Sequence, residues 1–309
     1  MKICAIDNDL LARYEAAEEE LKALAPYGEF INGRLEMSDD EKVALAEDCE
    51  VALFGTAYLS NEVVSRLPKL KILQFLGTGV ANYVDVAFCE KRGIKVLNVE
   101  EYGSNAVAEF AVAMIFSALR RIPLSDARVK RHQWSYDEME GLELAGSTVG
   151  IVGTGKIGGM VAEKLHALGA AEINAFDVLR NEGLIQRCGV RYTSLEDLFR
   201  RSDIVSIHLK YMKSTYRIVS GDLIRSMKPG AIFVNTARAE LVDYEALGES
   251  LRSKRVRGAA LDVYYEEPPS DWSICDHDSV ISTSHIGFFT KNAKRNLIRN
   301  AVRSVIDNL

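Results

Sequence analysis

Five histidines are available to a proton-transfer step in this chain: His132, His166, His208, His277 and His285. His166 falls off the apolar stripe of a helix-like segment and reads as a surface residue. His277 stands in Asp276-His277-Asp278, a solvated loop with no third metal ligand, and no metal site is expected. His208 closes the strand-like run Ile204–His208, and His285 follows the apolar run Val280–Ser282. Two more charged residues occupy comparable places. Arg238 stands just beyond Ala231–Asn235, and Glu267 follows Leu261-Asp262-Val263-Tyr264-Tyr265 and precedes Pro268-Pro269. Any one of these alone reads as an ordinary surface charge. Together they are what reduction of a carbonyl needs: an acid/base for the oxygen, a carboxylate to partner it, and a cation to polarise the substrate.

The co-reactant is read from Gly153-Thr154-Gly155-Lys156-Ile157-Gly158. A lone G-x-G-x-x-G is a weak signal, but this one directly follows the buried run Val149-Gly150-Ile151-Val152. It also opens a helix-like segment with Ile157, Val161, Leu165 and Leu168 on one face. In that setting Gly153 permits a tight turn, Gly155 lets a pyrophosphate approach the backbone, and Gly158 allows close helix–strand packing. Asp177 ends the next strand-like run, Ile173–Phe176, about twenty residues on, where a carboxylate accepts the ribose hydroxyls of NAD and repels the 2′-phosphate of NADP. NAD is the expected cofactor, and Arg180 keeps NADP open as the lesser alternative.

These groups require a scaffold of parallel strands. Lys2–Ile6, Val51–Gly55, Lys71–Phe75 and Lys95–Val99 read as strands, followed by Thr148–Val152, Ile173–Phe176, Ile204–His208, Ala231–Asn235, Gly258–Leu261 and Val280–Ser282. Helical patterns separate nearly all of them, which predicts an α/β fold with parallel sheets covered on both faces. Asn105–Arg121 is apolar almost all round and is expected to be buried on every side, within the chain or against a second copy. Lys291–Leu309 repeats Ala293, Leu297, Ala301, Val305 and Leu309 on one stripe, with no regulatory domain expected after it.

The chain has 309 residues, about two domains' worth. Its formal charge of −6 argues against nucleic acid or an anionic membrane as partner, since either wants a basic face. Five scattered cysteines without a C-x-x-C pair argue against a disulfide framework and for a reducing, cytoplasmic setting. The longest apolar stretch, Phe110–Leu119, is too short to cross a bilayer.

The motifs in their order resemble the D-isomer-specific 2-hydroxyacid dehydrogenases over essentially the whole chain. Asn235-Thr236-Ala237-Arg238-Ala239-Glu240-Leu241-Val242-Asp243 is similar to that family's catalytic-arginine motif, and Gly258 to Pro268 to its glutamate motif. Ser284-His285-Ile286-Gly287 is similar to its histidine motif. Gly77-Thr78-Gly79-Val80 matches its carboxylate-binding loop, and Val107-Ala108-Glu109 the start of its dimer helix. The resemblance implies His285 as acid/base, Glu267 as its partner favouring the imidazolium, and Arg238 as the group that binds and polarises a small anionic 2-keto or 2-hydroxy acid. It implies substrate contacts from Thr78, Gly79, Arg238 and His285. Cofactor contacts would come from Gly153, Gly155, Lys156, Ile157, Gly158, Asp177, His208, Thr236, Ala237, Arg238, Asp262, His285 and Gly287.

The resemblance further implies a Rossmann-type doubly wound sheet, residues 98–285, inserted into a smaller flavodoxin-like α/β substrate domain, residues 1–97 plus 286–309. A homodimer through helix 105–121 is the implied assembly. The chain departs from the family pattern at Ala239, Ser284, Lys210-Tyr211-Met212 and Phe288-Phe289, positions that bear on substrate identity. Two other readings stay beside this one: a cofactor-sensing scaffold or corepressor on the same fold, and an S-adenosylmethionine methyltransferase using the glycine loop.

Overall fold

Every ladder between strands of the computed structural model is parallel. The structure describes residues 1–7, 19–34 and 36–309. Its contacts divide these between two compact units, Met1–Gly103 with Phe289–Leu309, and Ser104–Phe288.

The first unit holds β1 (Lys2–Ala5), β2 (Glu29–Asn32), β3 (Val51–Phe54), β4 (Ile72–Phe75) and β5 (Lys95–Leu97), in the order β2-β1-β3-β4-β5. That is the flavodoxin-like order. Its short helices α1 (Asp39–Ala46), α2 (Asn61–Ser65) and α3 (Val86–Lys91) start where Ser38, Ser60 and Asp85 accept first-turn N–H groups, satisfying donors that a helix leaves orphaned. β3 and β4 are buried at every position, as central strands covered on two faces must be.

The second unit opens with α4 (Ser104–Leu119) and α5 (Ile122–Lys130). Its sheet contains β6 (Thr148–Val152), β7 (Glu172–Phe176), β8 (Arg191–Tyr192), β9 (Ile204–Ile207), β10 (Ala231–Asn235), β11 (Val256–Leu261) and β12 (Val280–Ser282). The order β12-β11-β10-β9-β6-β7-β8 reverses direction between β6 and β9. This is a doubly wound sheet, and the carboxyl ends of strands flanking such a reversal are where open α/β sheets bind ligands. Helices α6 (Lys156–Ala167), α7 (Glu182–Cys188), α8 (Leu195–Arg201), α9 (Gly221–Ser226) and α10 (Tyr244–Arg252) connect the strands. The chain then returns to the first unit as α11 (Lys291–Ile306), whose Leu297, Ala301 and Val305 pack on Ile3, Leu53 and Ile72.

Two local expectations change, both at helix ends. The helix expected over residues 105–121 ends at Leu119, and Arg121 takes a left-handed φ of 51° to start α5. Only one face of α4 is buried in this chain, through Ala108, Ala111, Met114, Ile115, Ala118 and Leu119; Val112 and Phe116 are half-buried and Ala113 is exposed. Leu309 lies past the end of α11 and is half-exposed, so it leaves the apolar stripe. Around the crossings, Val99 N donates to Gly77 O and packs in the first unit's core, while Ile286 and Gly287 are bound to Asp262 of the second.

Candidate active site

The glycine loop leaves β6 at Gly153, whose φ of +95° is open to glycine and strained for other residues. Gly158 is a matter of space: a Cβ there would lie 1.9 Å from Gly153 O, so any side chain would push the helix off the strand end. A Cβ at Gly155 would meet nothing within 4 Å, and no side chain caps the first turn of α6. Open space before an uncapped helix N-terminus is what a pyrophosphate requires. Asp177, at the end of β7, accepts from Thr154 N at 2.6 Å through Oδ2. The residues around the loop therefore fit a dinucleotide.

His208, next across the reversal, is 2.8 Å from Ser206 Oγ through Nε2. Burial of the ring pushes its pKa down to about 4, so it is a neutral imidazole at ordinary pH. It is a hydrogen-bonding group there, not a proton carrier.

Arg238, Glu267 and His285 all belong to the second unit. Glu267 Oε2 lies 2.7 Å from His285 Nδ1, and its other oxygen accepts from Tyr264 N at 3.1 Å. Burial pushes the Glu267 carboxyl up, but the hydrogen bond and charge of His285, the Tyr264 amide and the Arg238 charge outweigh it. The result is a carboxyl held below its usual range and ionised. With Nδ1 engaged, Nε2 of His285 is the nitrogen left to face a substrate. Arg238 donates Nη1 to the Ala237 carbonyl at 2.7 Å. Among the described residues it forms no ion pair, which leaves its charge available to an anion. Its backbone is held by Asn235, fully buried, which donates Nδ2 to Arg238 O at 2.9 Å and to Tyr244 Oη at 3.0 Å.

His285 has φ of 54°, a left-handed conformation that costs a residue with a Cβ on the order of 1 kcal/mol. Asp262 supports it. This residue is 1% exposed; Oδ1 accepts from Thr283 Oγ1 at 2.6 Å and Ile286 N at 2.9 Å, and Oδ2 from Gly287 N at 2.9 Å. The carboxylate thus grips the chain on both sides of His285. The family resemblance puts Asp262 among the cofactor contacts; the clamp itself has no signal in residue spacing, although Asp262 lies inside the glutamate motif.

Thr236 is 8% exposed with an unpartnered hydroxyl, an orphan donor that a bound ligand would satisfy. Thr78 and Gly79 lie in the first unit on the loop after β4. Thr78 Oγ1 donates to Val99 O at 3.3 Å, and Asn98 Nδ2 donates to Thr78 O at 3.1 Å. His166 is exposed, and His277 Nδ1 accepts from Ser279 N at 3.1 Å within its own loop. Among the described residues, no cluster of His, Cys, Asp and Glu could hold a metal ion, and no helix is long and apolar enough to cross a membrane.

Comparison with known proteins matches residues 112–287 to the D-isomer specific 2-hydroxyacid dehydrogenase, NAD binding domain. That is more than half the chain and includes the glycine loop, Arg238, Glu267 and His285. The chain belongs to the D-isomer-specific 2-hydroxyacid dehydrogenase family. A D-3-phosphoglycerate dehydrogenase of Mycobacterium tuberculosis is 35% identical over 256 residues, covering 82% of this chain and 48% of the relative. The chain spans about half the length of such curated relatives. Among solved structures, a D-lactate dehydrogenase from Aquifex aeolicus complexed with NAD and lactic acid superposes with a TM-score of 0.83 at 27% identity. That alignment covers 100% of this chain and 95% of the other. An acyclic imino acid reductase in complex with NADPH and D-Arg gives a TM-score of 0.85 at 25% identity, covering 100% and 97%.

Proposed function

We propose that the protein is an oxidoreductase that interconverts a small D-2-hydroxy acid and its 2-keto acid. NAD is the favoured cofactor, and Arg238, Glu267 and His285 carry the chemistry. The observation that carries this reading is the 2.7 Å contact between Glu267 and His285, in the same compact unit as Arg238 and the glycine loop. When bound, the nicotinamide supplies or takes up the hydride. In the reducing direction His285 Nε2 donates a proton to the carbonyl oxygen, while the ionised Glu267 on Nδ1 holds the ring and stabilises its charged form. Arg238 bridges carboxylate and carbonyl, and its charge opposes the negative charge that develops on oxygen. In oxidation the same groups act in reverse, with His285 taking the hydroxyl proton.

Gly153, Gly155, Lys156, Ile157 and Gly158 would cradle the pyrophosphate, and Asp177 favours a free ribose diol over a 2′-phosphate. Thr236, Ala237, Asp262 and Gly287 would line the nicotinamide end. Backbone N–H groups at Thr78 and Gly79 would take the substrate carboxylate, as the family resemblance implies. A second copy of the chain would cover the half-buried side of α4, where Val112 and Phe116 lie; Ile122, Val129, Trp134 and Tyr136, in the segment that follows, are also exposed. The free cysteines, four of them buried, suit a reducing compartment such as the cytoplasm.

The test is consumption of NADH and NADPH against a panel of 2-keto acids, phosphorylated and unphosphorylated. Turnover with at least one member, faster with NADH, is expected. Tight NADH binding with no turnover across the panel would point instead to a cofactor-sensing scaffold.

A further inference from the structure

Behind the glycine loop runs a chain of hydrogen bonds that the role of Asp177 alone does not use. Tyr192 ends the two-residue strand β8, with its ring packed on the core beneath α6. Its hydroxyl oxygen is 2.8 Å from Asn181 N and 2.8 Å from Thr154 Oγ1. Thr154 Oγ1 is in turn 3.2 Å from Asp177 Oδ2, the oxygen that also accepts from Thr154 N. Thr154 is 4% exposed, so water cannot readily replace either partner of its hydroxyl.

Only one placement of hydrogens satisfies all four contacts. The Asn181 amide can only donate, so Tyr192 accepts there. An ionised Asp177 can only accept, so the single Thr154 hydroxyl hydrogen points to it. Between Tyr192 and Thr154 the donor must then be Tyr192. Hydrogen-bond polarity runs in one direction, from Asn181 through Tyr192 and Thr154 to Asp177, and ties the loop after β6 to the loop after β7.

We propose that Tyr192 is a positioning residue for cofactor discrimination. It commits Asp177 Oδ2 and the Asn181 amide to the protein and leaves Asp177 Oδ1 to the ribose diol of the dinucleotide. Oδ1 accepts only from Leu179 N, at 3.4 Å, among the described residues. Asn181 also caps α7 through Oδ1, so fixing its backbone fixes the rim of the loop. With its N–H taken by Tyr192, that rim offers one donor fewer to a 2′-phosphate. The arrangement favours NAD by a device additional to the Asp177 charge, and it rests on the dinucleotide reading above.

The test uses the full chain as wild type, Tyr192→Phe, Thr154→Val and Thr154→Ser, each titrated with NADH and with NADPH and then assayed with a competent 2-keto acid. Tyr192→Phe and Thr154→Val each remove a link, and NADH affinity should fall about 3- to 10-fold, the worth of one such hydrogen bond. NADPH affinity should fall less, and the defect should appear in KM for NADH and not in kcat. Thr154→Ser keeps the hydroxyl and should retain wild-type discrimination. Should Tyr192→Phe fail to fold, the Thr154 pair carries the test alone. Unchanged NADH affinity in the Val and Phe variants, or equal losses for both cofactors, would overturn the proposal while leaving the dehydrogenase reading intact. A wild-type chain that binds neither dinucleotide would overturn both.

Discussion

Substituting Asp262 by Asn tests whether the His285 loop is held in its strained conformation by one buried carboxylate. The two side chains have the same shape, so the change is one of hydrogen-bond polarity. Asp262 takes three hydrogen bonds, two on Oδ1 and one on Oδ2. If the Asn oxygen faces Thr283 and Ile286, its NH₂ opposes the Gly287 N–H; in the other orientation it opposes the Ile286 N–H, while the Thr283 hydroxyl can accept and give its hydrogen to Leu261 O. Gly287 is buried, so its amide cannot turn to water instead. A lost hydrogen bond to a charged group costs about 1.5–3 kcal/mol. His285, with φ of 54°, lies two residues before that amide, and relaxing the strain is expected to turn its ring away from the reacting oxygen. Spent entirely on positioning, that cost lowers kcat roughly 10- to 150-fold. The assay is steady-state NADH oxidation with a competent 2-keto acid, beside a fluorescence titration of NADH and a thermal melt. A kcat equal to wild type, or a defect confined to NADH affinity, would refute the clamp.

The glycine loop yields a contrasting pair. Gly155→Ala adds a Cβ that touches nothing in the protein, so its melting temperature should match wild type while NADH binding weakens by about 1–3 kcal/mol from crowding of the pyrophosphate. Gly158→Ala places its Cβ against the Gly153 carbonyl and should lower the melting temperature as well. His208 predicts a pH dependence of stability. Its folded pKa is depressed from 6.5 to about 4, so between those values the unfolded chain binds a proton that the folded chain refuses. Stability should fall as pH drops through that window, by at most about 3 kcal/mol. Urea midpoints across the window should decline less in His208→Gln, and parallel declines in the two proteins would contradict the assignment.

The features most legible in the sequence were those that obey a local rule. β6 and β10 have the ends their apolar runs predict, because buried parallel strands are continuous apolar segments; β12, a half-exposed edge strand, also keeps its predicted ends. β2 and β8 were missed. β2 is the half-exposed edge of its sheet and β8 has only two residues, so neither carries an unbroken apolar run. The helical pattern after Asn105 runs on to Arg121 because nothing in Leu119-Arg120-Arg121 signals the left-handed turn there. Within the site, glycine spacing made the loop readable, and order along the chain suggested Arg238, Glu267 and His285. The clamp by Asp262 and the Tyr192 chain depend on side chains meeting from separate strands and loops, which no spacing rule encodes.

The central claim is that His285, backed by Glu267, moves a proton while a dinucleotide exchanges a hydride with a 2-keto acid. The most direct measurement is single-turnover NADH oxidation by wild type and His285→Ala with the same keto acid, each first shown to bind NADH. A rapid wild-type turnover that is lost in the variant, with NADH binding retained, is the predicted result. Turnover in His285→Ala at the wild-type rate would contradict the account.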